Sequence, residues 1–371
     1  MAPGVPTQTV YAERIKKAQA EMKRQGIDVL LVGPSSDLVY LIGYDAHLSE
    51  RLNLLIIRQE GPPDLVVPVL ESFLATACEP NVTLRRWQET ESPSDLAASL
   101  IGDTTGVTLG VSDQLWSTFL LKLQKAMPEG DWTTGQPILA HLRVTKDQSE
   151  LDNLFEVARL TDEAWHEFVE SGQISGLTET QAMDRLSGMM EKRGLGRSFG
   201  ICASGPNSAS PHHHTGDRVI QQGDSVIFDW GGTLNGYHSD VTRTVFVGTP
   251  TDEYRKVYAT VKEANQAALD AVKPGVACED IDKAARDLIT KAGYGEAFLH
   301  RVGHGLGMDV HEEPYLVGGN KTPLEVGMVF SDEPGIYLAG NLGVRIEDSV
   351  VVTETGGKRL NEASRELTVM D

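Results

Sequence analysis

The stretch Asp224–Val247, DSVIFDWGGTLNGYHSDVTRTVFV, contains two predicted strands that both border on an aspartate. Asp229 follows the apolar run Val226-Ile227-Phe228, and Asp240, eleven residues later, precedes Val241–Val247. An ionised carboxylate beside a buried strand needs compensation, because burial removes it from water. The two aspartates are therefore candidate metal ligands, although a single aspartate at a strand end is also typical of a turn.

Three further residues stand where a metal ligand would fit. His304 lies between Gly303 and Gly305, so that backbone can approach it closely, while Glu333 precedes a Pro-Gly pair and Glu347 precedes an apolar run. Four converging carboxylates would repel one another without cations, and oxygen-rich ligation with one imidazole suits Mn²⁺, Zn²⁺, Co²⁺ or Fe²⁺. Each residue alone also fits an ordinary turn or surface position, and spacing leaves the convergence of all five open.

The bulk composition excludes several classes of protein. The chain has 371 residues, which predicts two domains, and a net charge of −20 from 33 basic and 53 acidic side chains. Such an acidic chain is a poor partner for nucleic acid or an anionic membrane. The three scattered cysteines predict neither a disulfide framework nor a thiolate zinc site. We see no signal peptide and no apolar stretch of membrane-spanning length, so we expect a cytoplasmic protein.

The order of predicted elements indicates a mixed α/β chain. In residues 1–145 helices alternate with short apolar strands, and Glu71–Cys78 is predicted as one of the helices. In residues 146–371 two long helical patterns come first and short strands dominate afterwards, interrupted by helices such as Asp252–Ala271. The segment Val344–Val352 is predicted as a single strand. We therefore expect two α/β domains, at 1–145 and 146–371.

Taken in order, the motifs resemble those of the creatinase, prolidase and methionine aminopeptidase superfamily, whose catalytic domain has the pita-bread fold. The matching segments are Ser204–Asn207, Pro211-His212, Ile227–Asp229, Asp240–Thr244, His300 with Gly303–Gly307, Asp309–Glu312, Glu333–Tyr337 and Val344–Asp348. Leu38–Tyr44 resembles, less specifically, a segment of the creatinase-type N-terminal domain. The resemblance therefore implies a creatinase-like N-terminal domain, a pita-bread catalytic domain and the proline-directed branch of the superfamily.

The resemblance implies a metal-binding role for five positions. Asp229 would bind one divalent ion, Asp240 and Glu347 would bridge two ions, and His304 with Glu333 would complete the second. Glu333 would also accept the proton of the attacking water. Because all five ligand positions are filled, a metal-free role is disfavoured.

The resemblance also assigns residues around the metal ligands. His311 and His212 would stabilise the scissile carbonyl as it gains charge, or would support the ligands from outside. His300, Tyr337 and Arg345 would line or buttress the substrate pocket. Arg345 is equally compatible with a simple pairing to a ligand carboxylate.

Two positions depart from the pattern of the superfamily. Asp332 stands where an apolar residue is common, beside Glu333. Tyr315 stands where some proline dipeptidases carry an arginine that holds the free carboxylate of a dipeptide. Arg51, in the N-terminal domain, could hold that carboxylate instead, from its own or a partner subunit. The alternative is an exposed arginine paired with Glu50.

These observations predict a metal-dependent hydrolase that cleaves the bond between an N-terminal residue and a following proline. Two divalent ions are expected, Mn²⁺ first, with Zn²⁺ or Co²⁺ as alternatives. Arg51 favours Xaa-Pro dipeptides as substrates, which is the activity of a prolidase. The alternative within the class is an Xaa-Pro aminopeptidase acting on longer peptides, and the alternative outside it is a non-catalytic peptide-binding protein with a vestigial metal site. The resemblance also implies a homodimer.

Overall fold

A computed structural model of the chain describes residues 6–371, apart from the side chain of Arg197. The chain divides into two compact units, Met1–Arg143 and Val144–Asp371. Both units combine helices with sheets, which confirms the predicted mixed α/β class. Among the described residues, no helix has both the length and the apolar character that a membrane crossing requires.

The N-terminal unit is built on a six-stranded sheet in the order β4-β3-β2-β1-β5-β6. Its helices are α1 (Gln8–Gln25), α2 (Ser36–Ile42), α3 (Pro93–Ile101), α4 (Ser117–Ala126) and α5 (Gln136–Val144). Its strands are β1 (Val29–Val32), β2 (Leu54–Arg58), β3 (Asp64–Pro68), β4 (Thr83–Trp87), β5 (Thr108–Val111) and β6 (Asp131–Thr134). The sheet is mixed, because β1 is antiparallel to β2 and parallel to β5.

One helix predicted in this unit is wrong. Within Glu71–Cys78, only Leu74–Cys78 is helical, and it forms a 3₁₀ helix rather than an α-helix. Phe73 and Leu74 are exposed, so the segment has no continuous apolar face that would pack a longer α-helix against the sheet.

The C-terminal unit contains two larger sheets and a separate hairpin. Its helices are α6 (Gln148–Glu170), α7 (Glu179–Glu191), α8 (Asp252–Ala271) and α9 (Cys278–Lys291). Its strands are β7 (Gly196–Ser204), β8 (Ser225–Leu234), β9 (Tyr237–His238), β10 (Val241–Val247), β11 (Gly303–Gly305), β12 (Glu312–Leu316), β13 (Val329–Asp332), β14 (Gly335–Leu338), β15 (Leu342–Arg345), β16 (Asp348–Thr353), β17 (Gly356–Arg359) and β18 (Thr368–Met370). One sheet has the order β18-β10-β8-β7, the other β12-β11-β13-β16-β17, and β14 pairs with β15.

Helices cover one face of each large sheet, and the opposite faces carry the polar residues. Trp165 of α6 stacks on Trp230 of β8 with ring centroids 4.6 Å apart, inside a core that α6 and α7 share with β8 and β10. Phe228 faces the same core. Because successive side chains of a strand alternate between faces, Asp229 points away from these helices. The helices α8 and α9 form a second core with strands of the other sheet.

The prediction of one continuous strand over Val344–Val352 is wrong, because the structure has two strands there, one ending at Arg345 and the other beginning at Asp348. The chain leaves the β14–β15 hairpin after Arg345 and joins the second large sheet at Asp348. In the gap, the backbone N–H of Glu347 donates to the carbonyl of Thr242 on β10, with N and O 3.1 Å apart. This hydrogen bond links β10 of the first large sheet to the segment that leads into the second, and it fixes the backbone of Glu347.

Candidate metal centre

A cavity of about 680 Å³ lies in the C-terminal unit and is lined by residues of both large sheets. Its lining contains all five candidate ligands and four of the other predicted site residues: Asp229, Asp240, His304, Glu333, Glu347, His212, His300, His311 and Arg345. Volumes of a few hundred cubic ångströms are typical of small-molecule sites. The structure thus brings together residues that are up to 135 positions apart in the sequence, from His212 to Glu347.

The carboxylates and the histidine form a tight group at the wall of this cavity. One ligand atom from each of Asp240, His304 and Glu347 lies within 4.8 Å of the other two. His304 Nε2 is 3.6 Å from Asp240 Oδ2 and 3.3 Å from Glu333 Oε1. Asp229 lines the same cavity, and its buried Oδ1 has no hydrogen-bond partner among the described residues.

Two glycines allow the backbone around His304 to pack closely. A Cβ added at Gly303 would lie 1.8 Å from the carbonyl oxygen of Ser331, and one at Gly305 would lie 2.2 Å from the carbonyl oxygen of Glu313. No other residue type fits at such distances. The Nδ1 of His304 lies 3.1 Å from the carbonyl oxygen of Gly305, to which it can donate, and this leaves Nε2 as an acceptor towards the carboxylates.

Hydrogen bonds from neighbouring side chains orient two of the carboxylates. Thr242 Oγ1 donates to Glu347 Oε2 over 2.6 Å. Arg345 Nη2 donates to Asp229 Oδ2 over 2.6 Å, and its Nε donates to Thr242 Oγ1 over 3.1 Å. One oxygen of each carboxylate is thereby fixed, and the other remains free for a cation.

Burial makes this group costly without cations. It raises the pKa of Asp240 and the pKa of Glu347 well above their usual range, and neighbouring carboxylates raise them further. Burial also raises the pKa of Glu333 to about 7. In contrast, burial lowers the pKa of His304 to about 3, so its imidazole is neutral and able to bind metal.

The donor set fits divalent metal ions. Four carboxylates and a neutral imidazole offer oxygen-rich ligation with one nitrogen, which suits Mn²⁺, Co²⁺, Fe²⁺ or Zn²⁺. The unpartnered Oδ1 of Asp229 and the free Nε2 of His304 are the acceptors that a cation would take up. Bound cations would also reverse the pKa shifts, because they favour the ionised carboxylates.

The remaining predicted residues of this unit divide into two groups. His311 and His212 face the cavity, and the His311 ring centroid lies 3.9 Å from that of His304. Burial lowers the pKa of His311, with the charge of Arg301 as the next cause. Tyr337, in contrast, is buried and is not part of the described cavity lining.

Tyr337 belongs to a chain of hydrogen bonds that ends on a candidate ligand. Its hydroxyl lies 2.9 Å from His300 Nε2 and accepts from Arg345 Nη1 over 2.8 Å, and Arg345 in turn holds Asp229. Burial lowers the pKa of His300 to about 4, followed by the effect of the Arg345 charge, so this histidine is neutral. The three residues therefore hold the side chain of Asp229, a candidate metal ligand.

Two arginines are candidates for the predicted contact with a substrate carboxylate. Arg51 lies in the N-terminal unit, where it pairs with Glu50 at 2.5 Å and with Glu89 at 2.6 Å. Arg301 lines the cavity, and its guanidinium carbon is 4.2 Å from the ring centroid of Tyr315. Among the residues described, Arg301 forms no ion pair. Sequence reasoning missed it, although it stands directly after His300.

The unusual Asp332 turns away from the cavity. It shares a strand face with Phe330, which packs in the core formed with α8, and Asn265 of α8 donates to its backbone carbonyl over 2.9 Å. Burial raises the pKa of this carboxyl well above its usual range. Asp332 is consequently a buried group with a raised pKa that lies outside the cavity lining.

Fold and site together define a metallopeptidase. Residues 152–354 match the model of metallopeptidase family M24, and residues 14–145 match that of the creatinase/prolidase N-terminal domain. The chain belongs to metallopeptidase family M24 and is a metal-dependent hydrolase with a creatinase-type N-terminal domain and a pita-bread catalytic domain. The predicted family and fold class are confirmed.

Particular relatives cover nearly the whole chain. It is 38% identical over 366 residues to the probable dipeptidase PepE of Mycobacterium tuberculosis, covering 97% of each chain. It is 34% identical over 371 residues to the Xaa-Pro dipeptidase of Lactobacillus delbrueckii subsp. lactis, covering 96% of this chain and 98% of the other. The crystal structure of a recombinant prolidase from Thermococcus sibiricus superposes with a TM-score of 0.92 at 40% identity, covering 97% of this chain and 99% of that one.

Proposed function

We propose that the protein is an Xaa-Pro dipeptidase that uses two divalent metal ions, with Mn²⁺ as the first candidate. The observation that carries the proposal is the cluster of four carboxylates and one neutral histidine at the wall of a cavity of about 680 Å³. The relatives named as a dipeptidase, an Xaa-Pro dipeptidase and a prolidase support the same substrate class.

The proposed ligand roles are those that the family resemblance implies, and the geometry supports them. Asp240, Glu347 and His304 each place one ligand atom within 4.8 Å of the other two, and the two carboxylates would each contact both ions. Asp229, whose Oδ2 is held by an arginine, would bind one ion through its free side, and Glu333 with His304 would hold the other. Two ions bound there would acidify a water and withdraw charge from the scissile carbonyl.

The chain's own residues would perform the proton transfer and orient the substrate. Glu333 would accept a proton from the attacking water and deliver it to the proline nitrogen, which leaves as an amine. His311 and His212, both at the cavity surface, would donate hydrogen bonds to the carbonyl oxygen as it gains negative charge.

The residue that holds the free carboxylate of a dipeptide has two candidates. Arg51 remains a prediction, and it already pairs with two glutamates of its own unit. Arg301 stands in the cavity and forms no ion pair within the described part of the chain. A carboxylate clamp should matter for Ala-Pro and not for Ala-Pro-Ala, so replacing each arginine by alanine and comparing the two substrates separates the candidates. A homodimer and a cytoplasmic location also remain predictions.

The test is a rate comparison on Mn²⁺-loaded protein with Ala-Pro, Ala-Pro-Ala and Ala-Ala. We expect Ala-Pro to be cleaved fastest and Ala-Ala slowly or not at all. Faster cleavage of Ala-Pro-Ala would replace the proposal by an Xaa-Pro aminopeptidase. If no proline peptide is cleaved while elemental analysis finds two metal ions per chain, the proline-directed assignment is wrong. Fewer than one bound ion per chain would contradict the dinuclear site itself.

A further inference from the structure

A buried glutamate outside the metal site gathers five hydrogen bonds. Glu179 is the first residue of α7, and its side chain is fully buried. Its Oε1 accepts from Ser204 N at 2.8 Å, Ser204 Oγ at 2.7 Å and Asn207 Nδ2 at 3.0 Å. Its Oε2 accepts from His213 Nε2 at 2.8 Å and Gly216 N at 3.2 Å. No catalytic or metal-binding role described above accounts for this concentration of donors on one carboxylate.

All five donors belong to the segment that presents His212 to the cavity. They span residues 204–216, between β7 and β8, and Pro211 and His212 of this segment line the cavity wall. Among the described residues, the His212 ring itself has no hydrogen-bond partner. Its direction therefore depends on how the backbone on either side of it is held, and the next residue, His213, is the one bonded to Glu179.

The chemistry of the contact fixes its direction. Burial works to raise the pKa of Glu179, but hydrogen bonds from Asn207, Ser204 and His213 outweigh it and keep the pKa below its usual value. An ionised carboxylate only accepts, so His213 must carry its proton on Nε2. The position at the first turn of α7 also favours the negative charge, because helix N-termini are electropositive.

We infer that Glu179 is a positioning residue, which acts through His213 to hold the imidazole of His212 against the reacting carbonyl. The inference rests on the proposed role of His212 as a hydrogen-bond donor. It places the geometry of His212 under the control of α7, a helix that contributes no residue to the described cavity lining. A purely structural role, in which the contacts of Glu179 only stabilise residues 204–216, predicts a different effect on kcat.

A double-mutant cycle separates positioning from plain stabilisation. Losing a hydrogen-bond donor to the reacting oxygen lowers kcat by about 10²–10³-fold, which we expect for His212→Ala. Losing an outer partner of an active-site group costs about 10- to 100-fold, which we expect for His213→Ala, with KM little changed. If His213 acts through His212, the double variant should be no slower than His212→Ala. Losses that multiply in the double variant would overturn the inference.

Matched variants guard against effects on folding. His214→Ala changes an exposed neighbour in the same run, and it should leave kcat and the melting temperature unchanged. His213→Gln retains a donor that can reach Glu179 and should recover most of the rate lost in His213→Ala. If the glutamine variant is as slow as the alanine variant while its melting temperature equals that of the wild type, the hydrogen bond to Glu179 is not the cause, and the inference is wrong.

A spectroscopic measurement keeps this test independent of the substrate assignment. With ¹⁵N-labelled histidine, the imidazole resonances of His212 should shift in His213→Ala and stay in place in His214→Ala. The wild-type rates on Ala-Pro test the proposed function, whereas this shift tests the positioning. Unchanged His212 resonances in His213→Ala would overturn the inference even in an active enzyme.

Discussion

The hydroxyl of Thr242 should set the metal affinity of the site. Thr242 is fully buried on β10, donates to Glu347 Oε2 over 2.6 Å and accepts from Arg345 Nε over 3.1 Å. Replacing it by valine keeps the shape of the side chain and removes both hydrogen bonds. Glu347 then loses the hydrogen bond that orients its carboxylate, and one more buried carboxylate oxygen lacks a donor.

The magnitude follows from the strength of a hydrogen bond to a charged group. Such a bond contributes about 1.5–3 kcal/mol, which corresponds to roughly a 10- to 150-fold change in an equilibrium constant. Outer partners of metal ligands typically change metal affinity by about 10- to 100-fold. We therefore expect Thr242→Val to weaken Mn²⁺ binding by one to two orders of magnitude.

Thr244 provides a matched control two residues along the same strand. It is equally buried, and its hydroxyl donates to the carbonyl oxygen of Arg345 over 2.7 Å and accepts from the Arg345 N–H over 3.0 Å, without touching a candidate ligand carboxylate. Thr244→Val should lower the melting temperature and leave the Mn²⁺ dissociation constant close to that of the wild type. Isothermal titration of chelator-treated protein with Mn²⁺ measures both variants, and Thr242→Ser should restore binding. Equal affinities for the two valine variants would refute the reasoning.

Three further outcomes test the site and its surroundings. Asp240→Asn should abolish turnover and lower the bound metal per chain, because Asp240 would contact both ions; retained turnover would exclude a bridging role. Lys146→Met breaks the buried ion pair with Glu312 and should lower the free energy of unfolding by about 3–5 kcal/mol, which corresponds to a fall in melting temperature on the order of 10 °C. Lys262→Met breaks an exposed ion pair and should have no measurable effect on either quantity. Chelator treatment should lower the melting temperature more at pH 8 than at pH 5. The metal-free folded state keeps a proton on Glu333 up to about pH 7 that the unfolded chain has already released, so its stability falls as the pH rises through this range; an equal effect of chelator at both pH values would contradict this assignment.

The elements with strong local patterns were predictable from the sequence. The strand Val241–Val247 and the helix Asp252–Ala271 have the predicted bounds. The strand lies between Asp240 and Gly248, and the helix begins after the N-cap Thr251 and has a buried face of helical period. The segment Val344–Val352 misled the prediction, because its interruption comes from a bridge to Thr242, about a hundred residues earlier in the chain. A local pattern carries no information on such a distant partner.

The same limit of local sequence patterns applied to the residues of the candidate site. Residues that lie in motifs, such as His304 between its glycines, could be singled out because their neighbours permit a close approach. Glu179 gave no such signal, since Thr178-Glu179 reads as an ordinary helix start and its donors follow 25 to 37 residues later. Arg301 was overlooked for a related reason: its significance is its place in the cavity beside Tyr315, which the sequence order does not reveal.

The way in which buried charge is balanced distinguishes structural acids from metal ligands in this protein. Asp348 is fully buried, yet three arginines surround it at 2.6, 3.0 and 3.3 Å: Arg243, Arg359 and Arg365. Its sequence neighbour Glu347 points to the other side of the chain, where four carboxylates share a wall and a single arginine pairs with one of them. Paired burial is tolerated because each charge has a partner, whereas unpaired burial of several like charges is not. The deficit of positive charge on the cavity side is therefore the physical reason to assign divalent cations there, and the arginines around Asp348 are the reason to assign none behind it.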